Sequence, residues 1–147
     1  MRKGNSEHSN KNKFILDSFA VVAFFQDEKG AEIVEDLFEK AKRGEVKLFL
    51  PMVNLGEVMH TFIQDYGEKE TIKLIKNIKN LPITITPIDE TLVWEAAKIK
   101  AQGGISYADS FVIAAALVHK ASIVTGDREF KKFERTVKIE WLLTKSK

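Results

Sequence analysis

Short runs of β-favouring apolar residues alternate with longer helical segments along almost the whole chain, and few folds accommodate that pattern. Residues 14–16, 46–50, 83–86 and 122–125 read as strands, and 137–142 as a fifth. Helices are predicted over 19–25, 31–43, 51–66, 68–80, from Asp89 to the Gly103-Gly104 pair, and over 106–120. Gly44, Gly67 and Pro82 punctuate them, and Pro51 suits the first turn of the helix it opens. Strands that alternate with helices cannot pair as tight hairpins. They predict an α/β fold of three layers, α/β/α, around a central, mainly parallel sheet of four to five strands. In such sheets binding sites form outside the carboxyl ends of the strands.

The helical segments differ in how they meet a core. Ile33, Val34, Leu37, Phe38 and Ala41 share one face of 31–43. Ile72, Ile75 and Ile78 are expected to point inward from 68–80, and the helix after Asp89 carries Leu92, Val93, Ala96, Ala97 and Ile99. Segment 106–120 is apolar nearly all round, which places it centrally and buried. A length of 147 residues fits one domain, expected over 14–147, with 1–13 a polar, aperiodic, disordered tail.

Four carboxylates punctuate this pattern. Asp17 closes the first strand, Glu57 sits within Asn54-Leu55-Gly56-Glu57 after the second, Asp109 opens the apolar helix, and Asp127 follows Thr125-Gly126 after the fourth strand. Each has a local explanation. Asp17-Ser18 suits an N-cap, Ser106-x-x-Asp109 resembles a capping box, Asp127 suits a turn, and Glu57 could face solvent. Gly56, costly inside a helix, would be explained by close packing there. If the strands are parallel, however, the acids meet at one sheet edge. Converging carboxylates repel, and a divalent cation is the usual remedy. Glu129 reads either as a further ligand or as an exposed neighbour of Arg128 and Lys131.

Composition narrows the chemistry. Cysteine is absent, which excludes disulfides, thiol catalysis and thiolate zinc sites. His8, His60 and His119 are scattered, so a hard, oxygen-bound ion, Mg²⁺ or Mn²⁺, is what the residues can serve. No run is long and apolar enough to cross a membrane, and the polar start lacks a secretory core, so a cytoplasmic location is expected. The net charge of +2 is too small to argue for nucleic acid, so any basic surface must be local. Arg128, Lys131, Lys132 and Arg135 follow Asp127 closely and are the better candidates for phosphate contacts. Lys69, Lys73 and Lys76 share a helix face that reads as solvated.

The order of these motifs resembles the PIN domain family: Asp17 after strand one, Asn54-x-x-Glu57 on the helix after strand two, Asp109 at a central helix, and Thr125-Gly126-Asp127. The segments Ser106-Tyr107-Ala108-Asp109-Ser110 and Thr125-Gly126-Asp127-x-Glu129-Phe130 are especially similar. Phe19 departs from the small or polar residue frequent there. The resemblance implies a single-strand RNase dependent on Mg²⁺ or Mn²⁺, with Asp17, Glu57, Asp109 and Asp127 as metal-holding catalytic acids. Ser18, Asn54 and Thr125 would be supporting polar groups, and Arg128, Lys131 and Lys132 would meet RNA. Many small members are VapC-type toxins, so it also implies a homodimer and a small antitoxin partner. A housekeeping RNA-processing nuclease, or a non-catalytic RNA- or protein-binding module, are the alternatives. A haloacid dehalogenase-type phosphatase would need Asp two residues after Asp17, where Phe19 stands.

Overall fold

The structure, a computed structural model, describes residues 12–142. Most of the expected tail, residues 1–11, therefore lies outside the described residues, and the first strand begins one residue earlier than the pattern suggests. In chain order the elements are β1 (Lys13–Leu16), α1 (Ser18–Phe25), α2 (Ala31–Lys42), β2 (Lys47–Pro51), α3 (Met52–Tyr66) and α4 (Glu68–Lys79). There follow β3 (Thr84–Thr86), α5 (Glu90–Ala101), α6 (Tyr107–His119), β4 (Ser122–Thr125), a 3₁₀ helix (Arg128–Phe133) and β5 (Ile139–Trp141).

The strands form one five-stranded sheet in the order β3-β2-β1-β4-β5, and every pairing is parallel. β1 is central: Phe14 pairs with Leu48 on one side and with Ser122 on the other. Side chains alternate across a strand, so successive residues feed two separate cores. Ile15 and Ile123 join Phe111, Val112, Phe130 and Phe133 beneath α5, α6 and the 3₁₀ helix. Leu16 and Val124 join Val34, Leu55, Val58 and Phe62 beneath α1 to α4. These two cores are what make the molecule three-layered, as the alternation predicts.

α6 is buried from Asp109 to Ala116, in keeping with its apolar circumference. One inward assignment is corrected. Ile72 is 54 % exposed, because the buried stripe of α4 runs through Thr71, Ile75 and Ile78, at intervals of four and three, one position off the isoleucine pattern. Val93 and Ala97 are likewise exposed on α5, where Leu92, Ala96 and Ile99 face the core.

Candidate metal centre

β1 and β4 are neighbours, yet the chain leaves β1 toward β2 and β3 and crosses back only later, so the sheet's topological switch point lies at their carboxyl ends. Asp17 follows β1, and Thr125-Gly126-Asp127 follows β4. α3 brings Asn54 and Glu57 over from the end of β2, and α6 delivers Asp109 in its first turn. Four acids far apart in sequence thereby meet at one edge.

The local explanations and the site coexist. Asp17 N-caps α1, its Oδ1 accepting from the Ala20 amide at 2.9 Å, while its Oδ2 accepts from the Thr125 hydroxyl. Thr125 Oγ1 in turn accepts from the Asp127 amide at 2.9 Å, and Asp127 Oδ1 accepts from the Glu129 amide at 2.9 Å. Ser106 Oγ accepts from the Asp109 amide at 3.1 Å, which caps α6 and fixes where that carboxylate emerges. Ser18 Oγ and Asn54 Nδ2 both donate to Glu57 Oε1, at 3.0 and 3.2 Å, leaving its second oxygen unengaged. Asn54 Nδ2 also donates to the Ala108 carbonyl at 3.2 Å, stitching α3 to the start of α6.

The turn after β4 carries a steric signature. A Cβ on Gly126 would lie 2.4 Å from the Phe19 ring. The aromatic residue that departs from the family pattern thus occupies space that a glycine in the turn leaves open.

The electrostatics of this edge favour a cation. Asp17 is 1 % exposed, and burial raises its carboxyl to a pKa of about 7, with Asp127 and Glu57 adding to the rise and the Thr125 and Ala20 hydrogen bonds opposing it. Asp109, 7 % exposed, is raised to about 8 by burial first, then by its hydrogen bond with Glu129 and by repulsion from Asp17, Asp127 and Glu57. No lysine or arginine forms an ion pair with any of these acids among the described residues. Carboxylate oxygens of Asp109, Asp127 and Glu129 lie within 4.8 Å of one another, close enough to share one ion. Asn54, fully buried, keeps Oδ1 without a hydrogen-bond partner among the described residues. An all-oxygen donor set with excess negative charge fits a hard divalent cation. His60 is exposed on α3 and His119 stacks on Phe49 at the far end of α6, so neither joins the acids.

Glu129, which the sequence leaves undecided between ligand and bystander, lies in the tightest acidic group. Its spacing, two residues after Asp127, was the available signal. The 3₁₀ helix that positions it is too short and too charged to show a helical period. Arg128 and Lys131 are exposed beside the acids. Lys132 is committed elsewhere: its Nζ donates to the Gly104 carbonyl at 3.0 Å. Lys100 Nζ donates to the next carbonyl, Ile105, at 2.9 Å, so two lysines hold the loop that leads into Asp109. Gly104 has φ +79°, and a Cβ there would lie 1.8 Å from Lys132 Nζ. Gly56 is exposed with nothing within 4 Å of a Cβ, so close packing does not explain it.

Solved structures share this fold at low sequence identity. The chain is similar to DNA-bound VapBC from Salmonella typhimurium, with a TM-score of 0.71, 14 % identity, and 89 % and 98 % of the two chains covered. VapBC-1 from nontypeable Haemophilus influenzae gives 0.68, 15 %, 90 % and 99 %. VapC20 of Mycobacterium tuberculosis, described as a toxin that cleaves the sarcin–ricin loop, gives 0.64, 12 %, 82 % and 94 %. No curated protein sequence matches the chain. The PIN domain profile matches residues 14–136, from β1 through the 3₁₀ helix, and the chain belongs to the PIN domain family.

Proposed function

We propose that the protein is a Mg²⁺- or Mn²⁺-dependent endoribonuclease that cleaves RNA phosphodiester bonds, and that it acts in the cytoplasm as the toxin of a toxin–antitoxin pair. The observation that carries the nuclease reading is the convergence of carboxylates at the β1–β4 switch point, none of them in an ion pair with a lysine or arginine among the described residues. The toxin reading rests on the shared fold of VapBC and VapC proteins, and with it come a small antitoxin partner and a homodimer.

Asp109, Asp127 and Glu129 would hold the ion, with Asp17 and the second oxygen of Glu57 completing the ligand set. When bound, a divalent ion supplies Lewis-acid catalysis, acidifying water and offsetting charge on the phosphoryl oxygens. Thr125 fixes the Asp17 carboxylate and the Asp127 backbone together, so both acids keep their orientation. Ser18 and Asn54 orient Glu57. Arg128 and Lys131 meet the phosphates that flank the scissile bond.

Purified Asp109→Asn and Asp17→Asn proteins are expected to lose Mn²⁺-dependent cleavage of single-stranded RNA together with the calorimetric heat of Mn²⁺ binding. Full cleavage by either variant would overturn the assignment. Absence of Mn²⁺ binding by the unaltered protein at millimolar ion would favour a non-catalytic module. Growth arrest on expression, abolished by Asp109→Asn, separates the toxin from a housekeeping RNA-processing enzyme.

A further inference from the structure

Because β4 and β5 are parallel, the crossover of residues 126–138 must return from the carboxyl edge of the sheet to its amino edge. It starts among the acids, at Asp127 and Glu129, and runs beside α6, pinned by buried Phe130, Phe133 and Val137. Its outer surface carries Arg128, Lys131, Lys132, Arg135 and Lys138, all exposed. At its lower end lies a cavity of about 300 Å³, lined by Arg135, Thr136 and Lys138 of the crossover and by Ala116, Leu117 and Lys120 at the end of α6.

Three cations surround this cavity, no carboxylate lines it, and none of the three forms an ion pair among the described residues. The carbonyl end of α6 offsets Lys120, which sits just past it. It does not account for Arg135 and Lys138, which the crossover brings in separately. In a chain whose net charge is only +2, this is a local concentration of positive charge around a concave space large enough for a phosphate group. Along α6, the cavity lies seven to eleven residues from Asp109, which is about 10–16 Å at the helical rise. A strand with stacked bases, at roughly 3.4 Å per nucleotide, covers that distance in about three to five nucleotides.

We propose that the Lys120–Arg135–Lys138 cavity binds a backbone phosphate of the substrate RNA about three to five nucleotides from the scissile bond, with the basic crossover as the track between. The inference rests on the nuclease reading for what occupies the acid end, while the cavity itself makes a separable prediction. Asp109→Asn protein, used to prevent cleavage, would be titrated with a fluorescent single-stranded 12-mer RNA across a range of salt concentrations. Adding Arg135→Gln and Lys138→Gln should reduce the magnitude of the logarithmic salt slope by about 0.7, the loss of the one phosphate contact the cavity makes. A dinucleotide, too short to reach the cavity, should show no such change.

An unchanged slope on the 12-mer, or no RNA binding before the two changes are added, overturns the proposal. Weakened binding of an oligoglutamate peptide with unchanged RNA binding would assign the cavity to an acidic protein and overturns it equally. If the cavity variant lowers the RNA slope while Asp109→Asn leaves cleavage intact, the metal-site reading fails and the cavity proposal stands.

Discussion

At the scale of single residues, the site depends on a few polar atoms and one missing methyl. Asn54 has no exposure and bridges Glu57 to the start of α6, so it acts on the acids without being one. Asn54→Ala should weaken Mn²⁺ affinity by about 10–100-fold, the range for groups that orient ligands, as read by calorimetry with the fold intact by circular dichroism. Gly126→Ala forces its Cβ into the Phe19 ring and should destabilise the protein by about 1–3 kcal/mol in urea unfolding. Phe19→Ala in the same chain should recover most of that loss, and additive losses in the double variant would show that the ring is not the obstacle. All four acids were legible because each borders or sits within an apolar stretch. Glu129 was half legible, through its spacing from Asp127. The Phe19–Gly126 contact was not legible, since nothing local ties residue 19 to residue 126.

Among the elements, boundaries followed glycine and proline closely, and the order of strands and helices was readable from periodicity alone. The failures are instructive. On α4 a threonine, not Ile72, completes the buried stripe, because geometry fixes intervals and the surrounding surface fixes phase. Gly56 faces solvent, so a helix-weakening residue there has no packing explanation. The clasp of Lys100 and Lys132 on the 104–105 carbonyls joins two elements whose approach no sequence window contains. Lys132→Met should loosen the entry to α6 and lower Mn²⁺ affinity several-fold in the absence of RNA, while Lys132→Arg retains most of it. If Lys132→Met leaves the Mn²⁺ isotherm untouched and flattens only the RNA salt slope, the lysine serves phosphate and not the loop.

For the molecule as a whole, the burial of Asp17 and Asp109 sets a pH dependence. Both carboxyls are raised from 3.8, to about 7 and about 8, so in the metal-free fold they hold protons that the unfolded chain has already released. The unfolded state binds fewer protons between those limits, and stability must fall as pH rises through that window. Metal-free protein should show a melting temperature that declines from about pH 4 to about pH 8 on account of these groups. Mn²⁺ should raise the melting temperature more at pH 8 than at pH 5, because protons compete for the same oxygens. A melting temperature that climbs steadily across the window in chelator would contradict the buried-acid account.

The strand order also governs when the protein can become active during its own synthesis. Thr125 grips Asp17 across 108 positions of sequence, and β1 gains its second neighbour only with β4. A nascent chain can pair β1, β2 and β3 early, but Asp17 has no Thr125 to hold it and no Asp127 or Glu129 to share an ion until β4 and the turn beyond it have left the ribosome. If the protein is the nuclease proposed for it, contact order keeps its acidic edge incomplete until β4 and the turn beyond it have been made.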